Sequence, residues 1–156
     1  MILARSLLFT FCFYVATLIQ MIFWTPVFFF LPRKFAWHVP KLWAVSLLWL
    51  QKTIIGSRYE FRGLGNIPKD RPFIVAAKHQ SSWETYTGLL FLDDPSYILK
   101  RELMFVPLFG WYALRAGMIR IDRGHGTRAL RSLIVGARTV LVRGQPVVIF
   151  PEGTRV

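Results

Sequence analysis

The residues of this chain that could carry out chemistry fall in two short motifs. The first, His79-Gln80-Ser81-Ser82-Trp83-Glu84, places a histidine five positions before a carboxylate. The second, near the end of the sequence, is Phe150-Pro151-Glu152-Gly153-Thr154-Arg155. An imidazole beside a carboxylate can act as a general base with the group that orients it. A glycine turn followed by an arginine suits an anion, so the second motif could supply the cation for an anionic substrate.

The spacing of His79 and Glu84 predicts a turn between them, because neighbours on one face of a helix are three or four residues apart. Ser81 and Ser82 predict that turn by capping a helix that begins near Trp83. His79 would then accept the proton of a substrate hydroxyl while Glu84 holds its other ring N–H. The alternative is that S-x-x-E from Ser81 to Glu84 is only a capping box and His79 only a loop residue.

Cationic residues follow several of the predicted strands. Lys100 and Arg101 follow one strand, Arg120 and Arg123 come at the end of another, and Arg155 follows the last. Strand ends that share one edge of a sheet would bring these cations to one rim, which suits a substrate that carries phosphate. The alternative is that they are solvated surface charges.

The composition favours a membrane over a nucleic acid as the partner of this basic chain. Of its 156 residues, 54% are hydrophobic, and 20 Lys+Arg against 8 Asp+Glu give a net charge of +12. Basic charge alone is compatible with either partner, but a soluble nucleic-acid binder has no need of the apolar excess. The single cysteine, Cys12, excludes an internal disulfide. No metal site is predicted, because His38 and His125 form no ligand spacing with His79.

Two apolar stretches at the N-terminus are predicted to associate with a membrane. Residues 6–32 contain no charge and are long enough to span a bilayer, although Pro26 should kink the helix or end it near Thr25. A cleaved signal peptide is the rival interpretation, but the stretch is long for one and lacks a small-residue cleavage site. Residues 42–51 are too short to span, and Trp43 and Trp49 indicate a helix lying in the membrane interface. The alternative there is a buried helix of the globular domain.

The rest of the chain alternates predicted strands with predicted helices. The strands are expected at residues 59–61, 73–77, 97–99, 118–121 and 147–150, and the helices at residues 83–91, 107–115 and 127–143. This order predicts an α/β fold, a mixed and largely parallel sheet with flanking helices, preceded by the N-terminal membrane-associating helices. We expect two domains, residues 1–55 and 56–156, and interpret the second as truncated at its C-terminus because the chain ends in a loop.

Together these motifs resemble the 1-acylglycerol-3-phosphate acyltransferase family of the glycerolipid acyltransferase group. The family's first motif is a histidine followed five positions later by aspartate; here Lys78 precedes His79, and Glu84 replaces the aspartate. Its second motif is similar to the stretch from Gly117 to Arg123, and its F-P-E-G-T-R motif is matched in full at Phe150 to Arg155. Lys100-Arg101-Glu102-Leu103 is also similar to the family's sequence.

The resemblance implies transfer of a fatty acyl group from acyl-CoA or acyl-acyl-carrier protein to lysophosphatidic acid, giving phosphatidic acid. It implies His79 as the general base and Glu84 as its orienting partner. The residues implied to bind substrate are Lys100, Arg123, Glu152, Gly153, Thr154 and Arg155. It implies no metal or other cofactor. The expected partners are the lysophospholipid acceptor, the acyl donor and membrane lipid; nucleic acid is not expected, because of the apolar composition. The expected location is the inner membrane, with the catalytic domain facing the cytoplasm.

Two rival functions remain open on the sequence alone. One is a sister acyltransferase that uses another lyso-lipid or glycerol 3-phosphate with the same base. The other is a non-catalytic protein that binds anionic lipid on the same fold. A panel of acceptor substrates separates the first rival, and an activity assay separates the second.

Overall fold

The computed structural model describes residues 2–122 and 126–153 of the chain. It divides into two compact units, residues 1–65 and residues 66–156. The division predicted from the sequence fell between residues 55 and 56. The first unit is helical, and the second contains the sheet.

The first unit consists of three α-helices and a closing turn. Helix α1 spans Ile2–Phe30, α2 Arg33–Ala36 and α3 His38–Leu50, and a π-helical turn follows at Gln51–Ile55. Gly56 ends this series with a φ of +79°, and its N–H donates to the carbonyls of Gln51 and Lys52. A residue without a Cβ adopts that left-handed conformation at little cost.

Helix α1 does not end near Thr25, so the expectation that Pro26 could stop it there was wrong. Pro26 lies inside the helix, which continues to Phe30. A proline removes one N–H from the helical ladder, whereas every other residue of this stretch can still donate. The Thr25 hydroxyl also donates to the carbonyl of Met21 at 2.7 Å, one turn earlier. Side chains of this kind help helices tolerate a proline in apolar surroundings.

Helix α1 is long and apolar enough to cross a membrane. Its most apolar window of 18 residues has a mean hydropathy of 1.9, and none of that window is buried. Length and composition carry this finding, and the core helix of a soluble protein or a signal sequence would satisfy the same criterion. A core helix of a soluble protein would be mostly buried, and this window is not.

Helices α1 and α3 are joined by polar side chains. Gln20 Nε2 donates to Ser46 Oγ at 2.8 Å, and Trp43 Nε1 donates to Thr17 Oγ1 at 3.0 Å. Helix α3 has buried residues, among them Leu47, and exposed large apolar residues: Leu42, Val45 and Trp49. Helix α3 therefore buries one part of its surface within the first unit and exposes apolar residues on another; its place in the membrane interface stays a prediction.

The second unit is built on a parallel sheet. Strand β1 spans Ile74–Ala76, β2 Ser96–Lys100, β3 Ile119–Ile121 and β4 Val147–Ile149. Their order across the sheet is β1-β4-β2-β3, and each neighbouring pair is parallel. The α/β fold with a parallel sheet is therefore confirmed.

Three α-helices and one short 3₁₀ segment connect the strands, and a second 3₁₀ segment precedes β1. Helix α4 spans Trp83–Phe91, α5 Phe109–Arg115 and α6 Gly126–Val142, with 3₁₀ turns at Leu64–Asn66 and Arg101–Phe105. Helix α6 packs on the sheet through a core of Ile119, Val140 and Val147. Gly136 permits this approach, since a Cβ there would lie 2.9 Å from Ile119 Cγ2.

The strand predicted at residues 59–61 does not form. The segment has no regular secondary structure, and its side chains find local partners instead. The rings of Tyr59 and Phe61 lie 5.3 Å apart, and Glu60 forms an exposed ion pair with Arg62 at 2.9 Å. Among the described residues no strand pairs with this segment, whereas β1, β3 and β4 are equally short and form because a partner strand lies beside them.

Candidate active site

The sequence motifs lie at the carboxyl edge of the parallel sheet. His79 follows β1, and residues 150–153 follow β4. These two strands are neighbours, with Ala76 in register with Ile149 and the Ala77 N–H donating to the Ile149 carbonyl at 3.0 Å. The fold therefore places the two motifs side by side, where open parallel sheets hold their functional groups.

His79 and Glu84 are directly bonded across a tight turn. His79 Nδ1 lies 2.7 Å from Glu84 Oε1, a short contact typical of a charge-assisted hydrogen bond. Both side chains are mostly buried, with 20% of His79 and 18% of Glu84 exposed. The turn from Gln80 to Ser82 folds Glu84 back from the first turn of α4 toward the imidazole.

The same carboxylate also caps helix α4. Glu84 Oε1 accepts the backbone N–H groups of Gln80 at 2.8 Å and Ser81 at 2.9 Å. Ser81 Oγ donates to Glu84 Oε2 at 2.9 Å and accepts the Trp83 N–H at 3.0 Å. This is similar to a capping box, except that the Ser81 hydroxyl accepts the N–H of Trp83 instead of that of Glu84. The cap and the histidine partner, which the sequence offered as alternatives, are the same carboxylate.

The hydrogen bonds that converge on Glu84 keep it ionised. Burial alone would raise its pKa, but this effect is outweighed by the backbone N–H groups of Ser81 and of Glu84 itself and by the His79 and Ser81 side chains. The net result lowers the pKa of Glu84 from 4.5 to about 2. Carboxylates that accept several N–H bonds behave in this way. Glu84 is therefore an anion at neutral pH.

The charge of Glu84 determines which nitrogen of His79 carries the proton. An ionised carboxylate can only accept, so the Nδ1 of His79 must donate to it. In the neutral imidazole, Nδ1–H leaves a lone pair on Nε2. The arrangement can therefore take a proton at Nε2, and the adjacent anion stabilises the imidazolium that results.

The first residue of the second motif covers the imidazole. The ring of Phe150 stacks on His79 with centroids 4.4 Å apart and an interplanar angle of 26°. The chain then turns, with the Gly153 N–H donating to the Phe150 carbonyl at 2.9 Å and Gly153 at a φ of +69°. Glu152 is exposed in this turn.

Strands β2 and β3 supply an exposed rim of cations on the same edge. Lys100 ends β2 and lies 3.4 Å from Glu102, while Arg101 reaches across to Asp122, after β3, at 2.9 Å. Lys100 and Arg101 are more than half exposed, at 52% and 56%. Arg120 is exposed in β3. The predicted Arg123, Thr154 and Arg155 lie outside the described residues.

Comparison with known proteins identifies the family. A family model described as Acyltransferase matches residues 58–156. The chain belongs to this acyltransferase family. This confirms the resemblance drawn from the three motifs.

Named relatives agree with this family. Over 114 residues the chain is 44% identical to the 1-acyl-sn-glycerol-3-phosphate acyltransferase of Pseudomonas aeruginosa, covering 73% of this chain and 44% of that protein. It is 36% identical over 110 residues to the alpha form of that acyltransferase from Mus musculus, covering 70% and 39%. The crystal structure of the 1-acyl-sn-glycerophosphate (LPA) acyltransferase PlsC from Thermotoga maritima superposes with a TM-score of 0.78 at 30% identity.

The chain is shorter than the proteins it matches. It spans less than half of the two curated relatives and 64% of the solved chain, although all of it is covered in that superposition. Family membership rests on the matched residues, which include every strand of the sheet.

Sequence reasoning missed two features of this acyltransferase site. The stack of Phe150 on His79 depends on β1 and β4 being neighbours, which a one-dimensional pattern does not reveal. The Arg101–Asp122 ion pair likewise depends on β2 lying beside β3. The F-P-E-G-T-R motif indicated only that Phe150 lies at the carboxyl end of a predicted strand, and not that this strand is the neighbour of the one before His79.

Proposed function

We propose that the full-length protein transfers a fatty acyl group from acyl-CoA or acyl-acyl-carrier protein to the free hydroxyl of lysophosphatidic acid. The product is phosphatidic acid, and His79 is the general base. The observation that carries this proposal is the 2.7 Å contact between His79 Nδ1 and the ionised Glu84, which leaves Nε2 as the proton acceptor. The similarity to 1-acyl-sn-glycerol-3-phosphate acyltransferases supports the choice of acceptor.

The proposed reaction proceeds in two steps. The acceptor hydroxyl gives its proton to Nε2 of His79 while its oxygen forms a bond with the thioester carbonyl carbon. The carbonyl electron pair moves onto oxygen and gives a tetrahedral oxyanion. When this collapses, the C–S bond breaks, and the departing thiolate takes the proton from the imidazolium. Neutral His79 is restored, and no serine nucleophile, metal or redox cofactor takes part, because the thioester is already activated.

The acceptor's phosphate is proposed to bind along the carboxyl edge of β2, β3 and β4. The residues proposed for it are Lys100, Arg123, Glu152, Gly153, Thr154 and Arg155. Gly153 and Glu152 follow the strand next to His79, and Lys100 ends the strand beyond it. Arginine recognises phosphate bidentately. The Gly153 N–H already donates to the Phe150 carbonyl, so the part proposed for this glycine is to permit the turn. Arg155→Ala should therefore raise the KM for the acceptor more than it lowers kcat.

We further propose that the protein works at the inner membrane with its catalytic domain in the cytoplasm. Helix α1 is unburied over its most apolar window, which supports insertion into lipid. The acceptor would remain in the bilayer while the thioester arrives from the aqueous side. The net charge of +12 would add attraction to anionic lipid, about 1 kcal/mol for each basic residue near the surface.

The decisive experiment measures acyl transfer by the full-length protein in membranes. Labelled acyl-CoA and acyl-acyl-carrier protein are offered with lysophosphatidic acid, other lyso-lipids and glycerol 3-phosphate. We expect phosphatidic acid from lysophosphatidic acid, at least 100-fold less in His79→Ala by the usual size of general-base catalysis, and no change in His38→Ala, a matched control at an exposed histidine.

The other outcomes of this experiment each correct the proposal in a different place. Transfer only to another lyso-lipid or to glycerol 3-phosphate would keep the base and replace the acceptor. Full activity in His79→Ala would remove His79 as the base. No product from any acceptor, with lipid binding intact, would favour the non-catalytic lipid-binding protein.

A further inference from the structure

Phe150 holds one face of the His79 ring from the neighbouring strand. The two rings are 4.4 Å apart at 26°, which is a stacked geometry. Their spacing is set by the sheet, because Phe150 directly follows β4 and His79 follows β1 in the adjacent parallel register. The hydrogen bond from the Ala77 N–H to the Ile149 carbonyl extends that pairing past the end of β1.

The bond to Glu84 alone cannot fix the orientation of the imidazole. A single hydrogen bond at Nδ1 sets the direction of one ring atom and leaves the ring free to tilt about that contact. A stacked aromatic ring restricts the tilt, and its electron-rich face attracts the ring more strongly when the imidazole becomes a cation. Phe150 thus acts on both the position and the charge of His79.

Tyr97 supports Phe150 from the far side of the stack. Their rings lie 6.4 Å apart at 30°, and the Tyr97 hydroxyl is buried with no hydrogen-bond partner among the described residues. That hydroxyl lies against Gly88, where a Cβ would collide with it. Gly88 and Glu84 are four residues apart on α4 and so share one face of it. His79, Phe150 and Tyr97 thus form a row of rings. Helix α4 contacts one end of the row through Glu84 and the other through Gly88.

We propose that Phe150 is a positioning residue for the general base, fixing the plane of His79 and stabilising its imidazolium. This inference rests on the proposed function. It gives the first residue of the F-P-E-G-T-R motif a role separate from substrate binding, which falls to the turn that follows it. The motif would then couple the base to the phosphate site through consecutive residues of one chain segment.

The test compares Phe150→Leu and Phe150→Tyr in the full-length protein in membranes. We expect Phe150→Leu to lower kcat about fivefold to thirtyfold, the range of a lost cation–π contact. The KM for both substrates should stay within about twofold, because only an interaction of the transition state is lost. Phe150→Tyr keeps the ring and should restore most of kcat. Phe105→Leu, at an exposed phenylalanine outside the site, is the matched control and should be unchanged.

A double variant separates positioning from general damage to the fold. If Phe150 acts through His79, then His79→Ala with Phe150→Leu should be no slower than His79→Ala alone. An additive further loss would overturn the inference, as would wild-type kcat in Phe150→Leu or the absence of any rescue by tyrosine.

The inference can also be tested if the proposed function fails. If the wild-type protein is inactive on every acceptor, the proposed reaction is contradicted. The kinetic comparisons of the Phe150 variants then cannot be measured. In that case the NMR chemical shifts of the His79 ring protons test whether Phe150 stacks on the histidine. We expect them to be displaced upfield by the Phe150 ring in wild type and to lose that displacement in Phe150→Leu. Equal shifts in the two proteins would show that the ring does not hold the histidine.

Discussion

The two sides of the carboxyl edge are built in opposite ways. Beside β1, the His79–Glu84 pair is about four-fifths buried, and its carboxylate accepts bonds from both backbone and side chains. Beside β2 and β3, Lys100 and Arg101 are more than half exposed, Lys100 lies near Glu102, and Arg101 pairs with Asp122. The first side holds the atoms of His79 and Glu84 in fixed positions, and the second side supplies positive charge.

This difference follows from what each side is proposed to do. Proton transfer requires heavy atoms within about 3 Å and the correct tautomer, so the base needs a rigid, partly desolvated turn. Attraction of a phosphate depends on charge over longer distances, so flexible exposed cations suffice. Breaking a buried hydrogen bond costs about 1–3 kcal/mol, whereas an exposed ion pair contributes about 0–1 kcal/mol. Substitutions on the two sides should therefore differ in both size and kind.

The largest effect should come from Glu84→Gln. A glutamine amide can donate to Nδ1, which favours the tautomer whose Nε2 carries the proton and cannot act as a base. We expect kcat to fall about 10²–10⁴-fold, with acceptor KM nearly unchanged. Steady-state kinetics on membranes measures both. Glu60→Gln, at an exposed carboxylate that pairs with Arg62, is the control. A loss below about threefold would mean that Glu84 is only a helix cap.

The next largest effect should be on stability in acid. The folded pKa of Glu84 is about 2 against an ordinary 4.5, so its contribution is complete above pH 4.5 and is lost as the pH falls toward 2. We expect wild type to lose on the order of 2 kcal/mol more than Glu84→Gln over that window. The free energy of unfolding of both proteins, measured in detergent at several pH values, tests this expectation. If the free energy of unfolding depends on pH in the same way in the two proteins, the lowered pKa of Glu84 is contradicted.

The two sides also differ in how far the sequence predicted them. Helix α4 was predicted at its observed bounds, because a capping signal and an apolar stretch agree locally at Ser81 and Trp83. The four strands were predicted close to their observed positions, because a short apolar stretch bounded by turn residues is also a local pattern. The strand predicted at residues 59–61 was wrong, because so short an apolar pattern does not determine whether a partner strand lies beside it. Neither the Phe150 stack nor the Arg101–Asp122 pair could be predicted, since both depend on the strand order β1-β4-β2-β3.

A smaller effect is expected from Ser81→Ala, which tests how the turn is held. This change removes the hydroxyl that donates to Glu84 and accepts the Trp83 N–H, but it leaves the bond from Glu84 to His79. We expect a loss of about 0.5–2 kcal/mol in the free energy of unfolding and only a modest loss of kcat. Ser132→Ala, at an exposed serine of helix α6, is the control and should not destabilise the protein. Equal destabilisation by the two changes would show that Ser81 is not the cap.

The smallest effects should come from the cation rim, through Lys100→Gln and Arg101→Gln. Each should raise the acceptor KM about twofold to fivefold and leave kcat unchanged, because the charge of one exposed side chain is largely screened by solvent. Raising the ionic strength should shrink the difference from wild type, since the Debye length falls from about 10 Å at 0.1 M to about 3 Å at 1 M salt. The Glu84→Gln defect should persist at the same salt, because it depends on a tautomer held by direct contact. A salt-insensitive loss of kcat in Arg101→Gln would instead place its ion pair with Asp122 among the contacts that fix the site, and the two sides would no longer differ in kind.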